Sequence, residues 1–245
     1  MSGQPRFDVE DLPVVKGFRQ RGLEMTRIET FTDAAFAFSL TLLVISFDSL
    51  PASFDEFLMA LRNVPAFAGG FATLAMFWYG HHVWSRRFGL DDGPTALLSL
   101  LFVFVMLIYV YPLRMVMSAL FYWLSGGWMP FMLDAMPLEQ LADIFVIYGI
   151  GFAAMSGLLA LHYRYALSRS EALSLDAEER FTTVSEIYAW LILAAIGLLS
   201  VAWALLTPPL IARWAGFSYA LLGLVMPLYG ILRERAWRRR SGSRG

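Results

Sequence analysis

The chain has 245 residues, 58% hydrophobic, 16% aromatic and 16% charged, with a formal net charge of −1. A mean hydropathy of +0.58 and a charged fraction well below the roughly 25% of soluble domains exclude a water-soluble globule and point to a polytopic membrane protein. Cysteine is absent, which excludes disulfide scaffolds and thiolate metal sites, while the net charge says nothing about partners because the charges are sorted by loop.

Residues 1–29 carry charges throughout and no apolar core, so a cytoplasmic N-terminal segment is expected there rather than a cleavable signal peptide. Windows of about 20 mostly apolar residues then predict six membrane-spanning helices. They run roughly Thr30–Leu50, Phe57–Trp84, Thr95–Tyr122, Leu141–Tyr165, Val184–Leu206 and Leu210–Leu232. The expected architecture is all-α: a six-helix transmembrane domain over 30–232, followed by a basic cytoplasmic tail over 233–245. Breakers separate the windows at Pro51, at Asp91 to Pro94, from Gly126 to Pro137, and at Pro208-Pro209. The last connection is short enough to predict an antiparallel hairpin of the fifth and sixth helices.

Basic residues set the orientation. With the N-terminus inside, sixteen Lys and Arg fall on cytoplasmic segments, against Arg62, Arg114 and Arg213 outside. Both termini are expected in the cytoplasm. Eighteen of the 19 basic residues are Arg, a compositional hint of a GC-rich bacterial genome, so the expected location is the bacterial inner membrane.

The first window begins with Arg27, Glu29 and Asp33 and runs straight into an apolar helix. Charge so near hydrocarbon is costly and must be paired or wet. Beyond Asp33, Phe38, Leu42 and Ile45 fall on one stripe at i, i+4 and i+7, and Asp33 points well away from it. The second window ends inside with Phe77-Trp78-Tyr79-Gly80-His81-His82, which places both histidines near the depth of Asp33. Trp78 is a candidate donor to that carboxylate, and Ser99, early in the third helix, can approach the same layer. Adjacent histidines diverge by about 100° on a helix, so no shared metal and no cofactor are expected. Taken alone, the apolar stripe is more often a packing face than a pore.

Three function classes remain open. A channel needs a lined path. No Gly occurs between Met25 and Gly69, and carbonyls in a continuous helix are already bonded internally, so side chains would have to supply any selectivity. A secondary transporter of a cation or small molecule usually carries midplane charges in two related halves; the later windows have few central charges and no inverted repeat. A membrane enzyme needs a convergent nucleophile, acid and base, and only His81, His82 and His162 are available as histidines.

Two elements together resemble the transmembrane protein 175 family, the bacterial and endolysosomal potassium channels. One is Arg27, Phe31, Thr32 and Asp33 followed by Ser39-Leu40-Thr41-Leu42-Leu43-Val44; the other is Phe77-Trp78-x-x-His81-His82. Pro112, late in the third helix, is a weaker match. The resemblance covers the first three helices well and the last three by count and hydropathy. It implies a potassium-permeable leak channel and not an enzyme, built as a homotetramer whose four first helices surround the pore. Carried over by position, the lining residues are Phe38, Thr41, Leu42 and Ile45. Arg27, Phe31, Thr32, Asp33, Trp78, His81 and His82 form a structural polar cluster. The implied partners are further copies of the chain, potassium and other monovalent cations, and membrane lipid, with no nucleic acid. Thr32 stands where the family favours Ser, Ser99 where it favours Asn, and Phe38 where it favours Ile or Leu.

Overall fold

The computed structural model describes residues 11–44, 52–130, 137–212 and 214–241. A two-stranded hairpin, β1 (Val14–Val15) and β2 (Phe18–Arg19), precedes the helices. These are α1 (Arg27–Val44), α2 (Phe54–Arg62), α3 (Val64–Phe88), α4 (Gly93–Leu124), α5 (Leu138–Ser168), α6 (Ala177–Leu206), α7 (Pro209–Ala212) and α8 (Leu222–Ser241). A 3-10 stretch, Ala215–Leu221, links α7 to α8. Among the described residues, five segments are long and apolar enough to cross a bilayer: Phe54–Phe88, Gly93–Leu124, Gln140–Ser168, Ala177–Leu206 and Pro209–Arg239. α1 is a sixth largely apolar helix, with Arg27, Glu29 and Asp33 in its first two turns. The all-α, multi-pass architecture expected from hydropathy is the one observed.

Two windows expected as single helices are broken. The second divides at Asn63, because Pro65 near the start of α3 has no N–H to donate and its ring would crowd the carbonyl four residues back. The sixth divides after α7, where the chain tightens into 3-10 turns before α8. Other helix starts follow local chemistry. The Thr26 hydroxyl accepts from the Glu29 amide at 3.1 Å, so α1 begins at Arg27 rather than Thr30. Asp92 accepts from the Thr95 amide at 3.1 Å, and Asp176 with Glu179 forms a reciprocal capping box on α6.

α5 and α6 form the most extensive helix pair, and α1 packs on α3 and α4. The core is aromatic: Phe77 lies against Tyr109, Phe152 and Trp190, with ring centroids 5.4–6.1 Å apart. Ion pairs join the elements at one end of the bundle, which we term the basic end. Arg19 and Arg21 meet the fully buried Glu179 at 3.2 and 2.8 Å. Arg87 and Arg233 share Glu186 at 3.3 and 3.6 Å. The Tyr165 hydroxyl donates to Asp92, tying α5 to the cap of α4. The stretch after the hairpin lies directly on the end of α3, where the Gly22 amide donates to the Arg86 carbonyl at 3.0 Å. Gly89 ends α3 at φ +57°, and a Cβ there would sit 2.7 Å from the Arg21 carbonyl oxygen, so glycine is required on both counts.

Removing Glu179 would leave two arginines facing a buried void. Glu179→Ala is expected to cost about 3–5 kcal/mol, visible as a large drop in the thermal midpoint of the detergent-solubilised protein. Asp176 has a milder signature. Burial raises its carboxyl, but hydrogen bonds from the Glu179 amide and Arg19 outweigh this and hold it below the ordinary carboxylate range. Because the folded value is the lower one, this stabilisation is complete above about pH 4 and is lost as pH falls through the folded value. Thermal midpoints measured between pH 3 and 7 should decline only at the acid end, and Asp176→Asn should flatten part of that decline.

Candidate functional site

α1 presents two unlike faces. Glu29, Thr32, Phe36, Ser39 and Leu43 alternate at three and four residues and are buried against α3 and α4. Thr32 and Ser39 reach that interior because each hydroxyl donates to its own helix, to the Ile28 carbonyl at 2.8 Å and the Ala35 carbonyl at 2.9 Å. The opposite face carries Arg27, Phe31, Ala34, Phe38 and Thr41, all exposed. Phe38 is 57% exposed and Phe31 51%. The Thr41 hydroxyl donates to the Phe38 carbonyl at 2.6 Å, leaving its oxygen as an outward acceptor. Leu42 is half-buried and touches the core, at the edge of the exposed face. Ile45 lies outside the described residues.

Asp33 sits on neither face. Five residues from Phe38, it is turned about 140° around the helix axis, toward α3. There the Trp78 indole N–H donates to Asp33 Oδ1 at 2.9 Å. His82 stacks on the Trp78 ring, with centroids 5.3 Å apart and planes at 22°, which holds the indole at the angle its hydrogen bond needs. Arg27 faces away, into a cleft of about 930 Å³ also lined by Arg21, Glu24, Phe31 and Asp91. The carboxylate of α1 that meets an arginine is Glu29, 3.7 Å from Arg86. Arg86 also donates to the Gly22 carbonyl at 2.7 Å.

His81 does not join Asp33. It points into the bundle, where its Nε2 is 3.2 Å from the Ser99 hydroxyl, and the same hydroxyl is 3.3 Å from Nε2 of His162. His162 Nδ1 lies 2.8 Å from the Leu158 carbonyl, which only accepts, so that nitrogen carries the proton. With His162 neutral, Ser99 donates to it and accepts from His81 Nε2–H. His81 Nδ1 is then a bare acceptor with no hydrogen-bond partner among the described residues. Phe102 stacks on His81 at 5.6 Å, and Trp84 meets His162 edge-on at 4.8 Å. Residue order alone does not connect His162 to Ser99; in the fold it is wholly buried. The available signal was its spacing from Leu158, one turn away on the apolar side of α5.

Residues 27–112 match the family described as endosomal/lysosomal potassium channel TMEM175. A protein of Marivirga tractuosa named potassium channel is 34% identical over 235 residues, covering 91% of this chain and 93% of that one. The chain belongs to the TMEM175 family. Among solved structures, a variant of the potassium channel MtTMEM175 in complex with a Nanobody-MBP fusion protein superposes with a TM-score of 0.78 at 31% identity. That match covers 91% of this chain and 99% of the other. The TMEM175 likeness read from Arg27, Phe31, Asp33 and the Phe77 to His82 element therefore holds, and it extends beyond the first three helices to nearly the whole chain. The family is one of channels and not of enzymes.

Ser99→Ala removes both links of the buried relay at once. Each imidazole nitrogen left without a partner costs about 1–3 kcal/mol, so a fall in thermal midpoint larger than that of Ser168→Ala, an exposed control, is expected.

Proposed function

We propose that the chain forms a homotetrameric, potassium-permeable leak channel in the bacterial inner membrane, with the basic end in the cytoplasm and α1 of each subunit lining the pore. The observation that carries this is the unpartnered face of α1. Among the described residues, nothing covers Phe38 and Thr41, although the opposite face of the same helix is packed. One chain supplies one such helix, and a closed ring of identical helices is the economical way to surround a path. Leu42 contributes from the edge of the face, and Ile45 is included by its seven-residue spacing from Phe38 in the sequence.

In this channel Phe38 forms the neck. Four phenyl rings at one level exclude water, and an ion there sheds hydration without replacing oxygens. The resting pore is accordingly shut or nearly so. One turn outward, Thr41 offers four hydroxyl oxygens whose protons are already committed to the helix, so they face the axis as acceptors. Asp33, Trp78 and His82, with Thr32 buried beside them, support the lining helix rather than touching the ion; Arg27 and Phe31 share its exposed face, and His81 ties α3 to α4 through Ser99.

Liposome flux under K⁺ and Na⁺ gradients tests the class: uncoupled K⁺ flux fits a channel, and flux that requires a second ion fits a transporter instead. Phe38→Ala should raise K⁺ flux strongly and erode discrimination against Na⁺. Thr41→Val keeps the diameter, removes the hydroxyl, and should lower K⁺ preference with little gain in leak. Unchanged flux in an assembled Phe38→Ala protein would remove α1 as the gate.

Asp33→Ala and His82→Ala should reduce the yield of tetramer, measured by native mass analysis in mild detergent, before any change in selectivity. An assembled Asp33→Ala channel with altered ion preference would reverse that assignment, and a stable monomer or dimer as the wild type's sole species would overturn the homotetramer.

A further inference from the structure

At the basic end, a cleft of about 440 Å³ opens between the tip of the hairpin, α3 and α6. Its wall changes character along its length. Lys16, Arg86 and Arg87 line the outer part, and Met76, Tyr79 and Val83 continue along α3 toward the middle of the bundle. From Arg87 back to Met76 the helix rises about 16 Å. Met76 and Tyr79 are 37% and 58% exposed, so this inner part opens sideways, where hydrocarbon would lie.

The charges do not cancel. Arg87 and Arg233 share a single carboxylate, Glu186, whereas Arg86 is matched by Glu29. Lys16 adds a further cation, and Glu178, beside Gly17, offsets one. About one positive charge remains for the cleft. The position of Lys16 is itself informative. It sits at φ 51° and Gly17 at φ 75°, the two left-handed residues of a tight hairpin turn, where Asn or Gly is less strained than Lys. The turn is fixed because Phe18 is buried edge-on against Phe88 at 5.4 Å and beneath the Arg87 guanidinium at 5.0 Å. A strained turn on a rigid anchor thus presents an ammonium at the mouth of a cationic cleft with an apolar floor.

We propose that this cleft binds one anionic phospholipid of the adjoining leaflet. Its phosphodiester lies between Lys16 and Arg87, and an acyl chain runs along Val83, Tyr79 and Met76. One headgroup charge matches the surplus, the outer cations sit at headgroup level, and the sideways opening admits a chain from the bilayer. This assignment does not depend on α1 lining a pore.

The test uses the full-length protein in mild detergent, with thermal midpoints recorded after adding phosphatidylglycerol, phosphatidylcholine or inorganic phosphate. Phosphatidylglycerol should raise the wild-type midpoint by several degrees, and phosphatidylcholine and phosphate should not. Lys16→Gln, at an exposed turn, should at least halve the shift while leaving the lipid-free midpoint near wild type. Arg62→Gln, at the far end of the bundle, should retain the full shift. Native mass spectrometry should find one retained phosphatidylglycerol per subunit in wild type and fewer in Lys16→Gln. Equal shifts with phosphatidylcholine, a full shift with phosphate alone, or an undiminished shift in Lys16→Gln would each overturn the proposal.

Discussion

The hydrogen bond from the Trp78 indole to Asp33 determines how α1 is rotated. A carboxylate near hydrocarbon must keep its donor, so α1 cannot turn on its axis without stranding that group. With the rotation set, Phe36, Ser39 and Leu43 face the subunit and Phe38 and Thr41 face away. His82, stacked on the donor, and Glu29, against Arg86, hold the same angle from two other directions. A polar contact in the first third of the helix therefore decides what the apolar remainder displays.

The same economy recurs through the bundle. Hydroxyls in α1 are satisfied by the carbonyls of their own helix, and the two buried histidines share one serine. In the proposed channel, polar chemistry is spent inside each subunit and almost none faces the axis. Permeation would then be governed by the width of a ring of apolar side chains and by a few hydroxyl oxygens. A lattice of backbone carbonyls plays no part, because continuous helices have none to offer.

Much of this was legible from residue order. Hydropathy located the spans, and the three- and four-residue spacing after Asp33 separated its direction from that of Phe38. The Asn63 break was not legible, because a window of about 20 residues averages across one proline at the start of α3. The partner of Glu29 was hidden because Arg86 lies on another helix. The ties of Arg19 and Arg21 to Glu179 join residues about 160 apart in the chain, which no local pattern encodes. Ser99 and His81 were visible as individual polar residues, but only the packing of α5 against α4 brings His162, the third member, to them.

The stretch after the hairpin has a mechanical consequence. Gly22 is bonded to the main chain of α3, Arg21 is clamped to Glu179 on α6, and α1 begins five residues after Gly22. The lower end of α1 is therefore moored to two other helices by a short leash, and to α3 directly by the Glu29–Arg86 pair and the Trp78–Asp33 hydrogen bond. A piston-like stroke of α1 along the membrane normal would have to break those two contacts. Bending higher up, or a change of rotamer at Phe38, would disturb neither. Any opening of the proposed pore is thus confined to the half of α1 beyond Asp33, and the basic end serves as its fixed pivot.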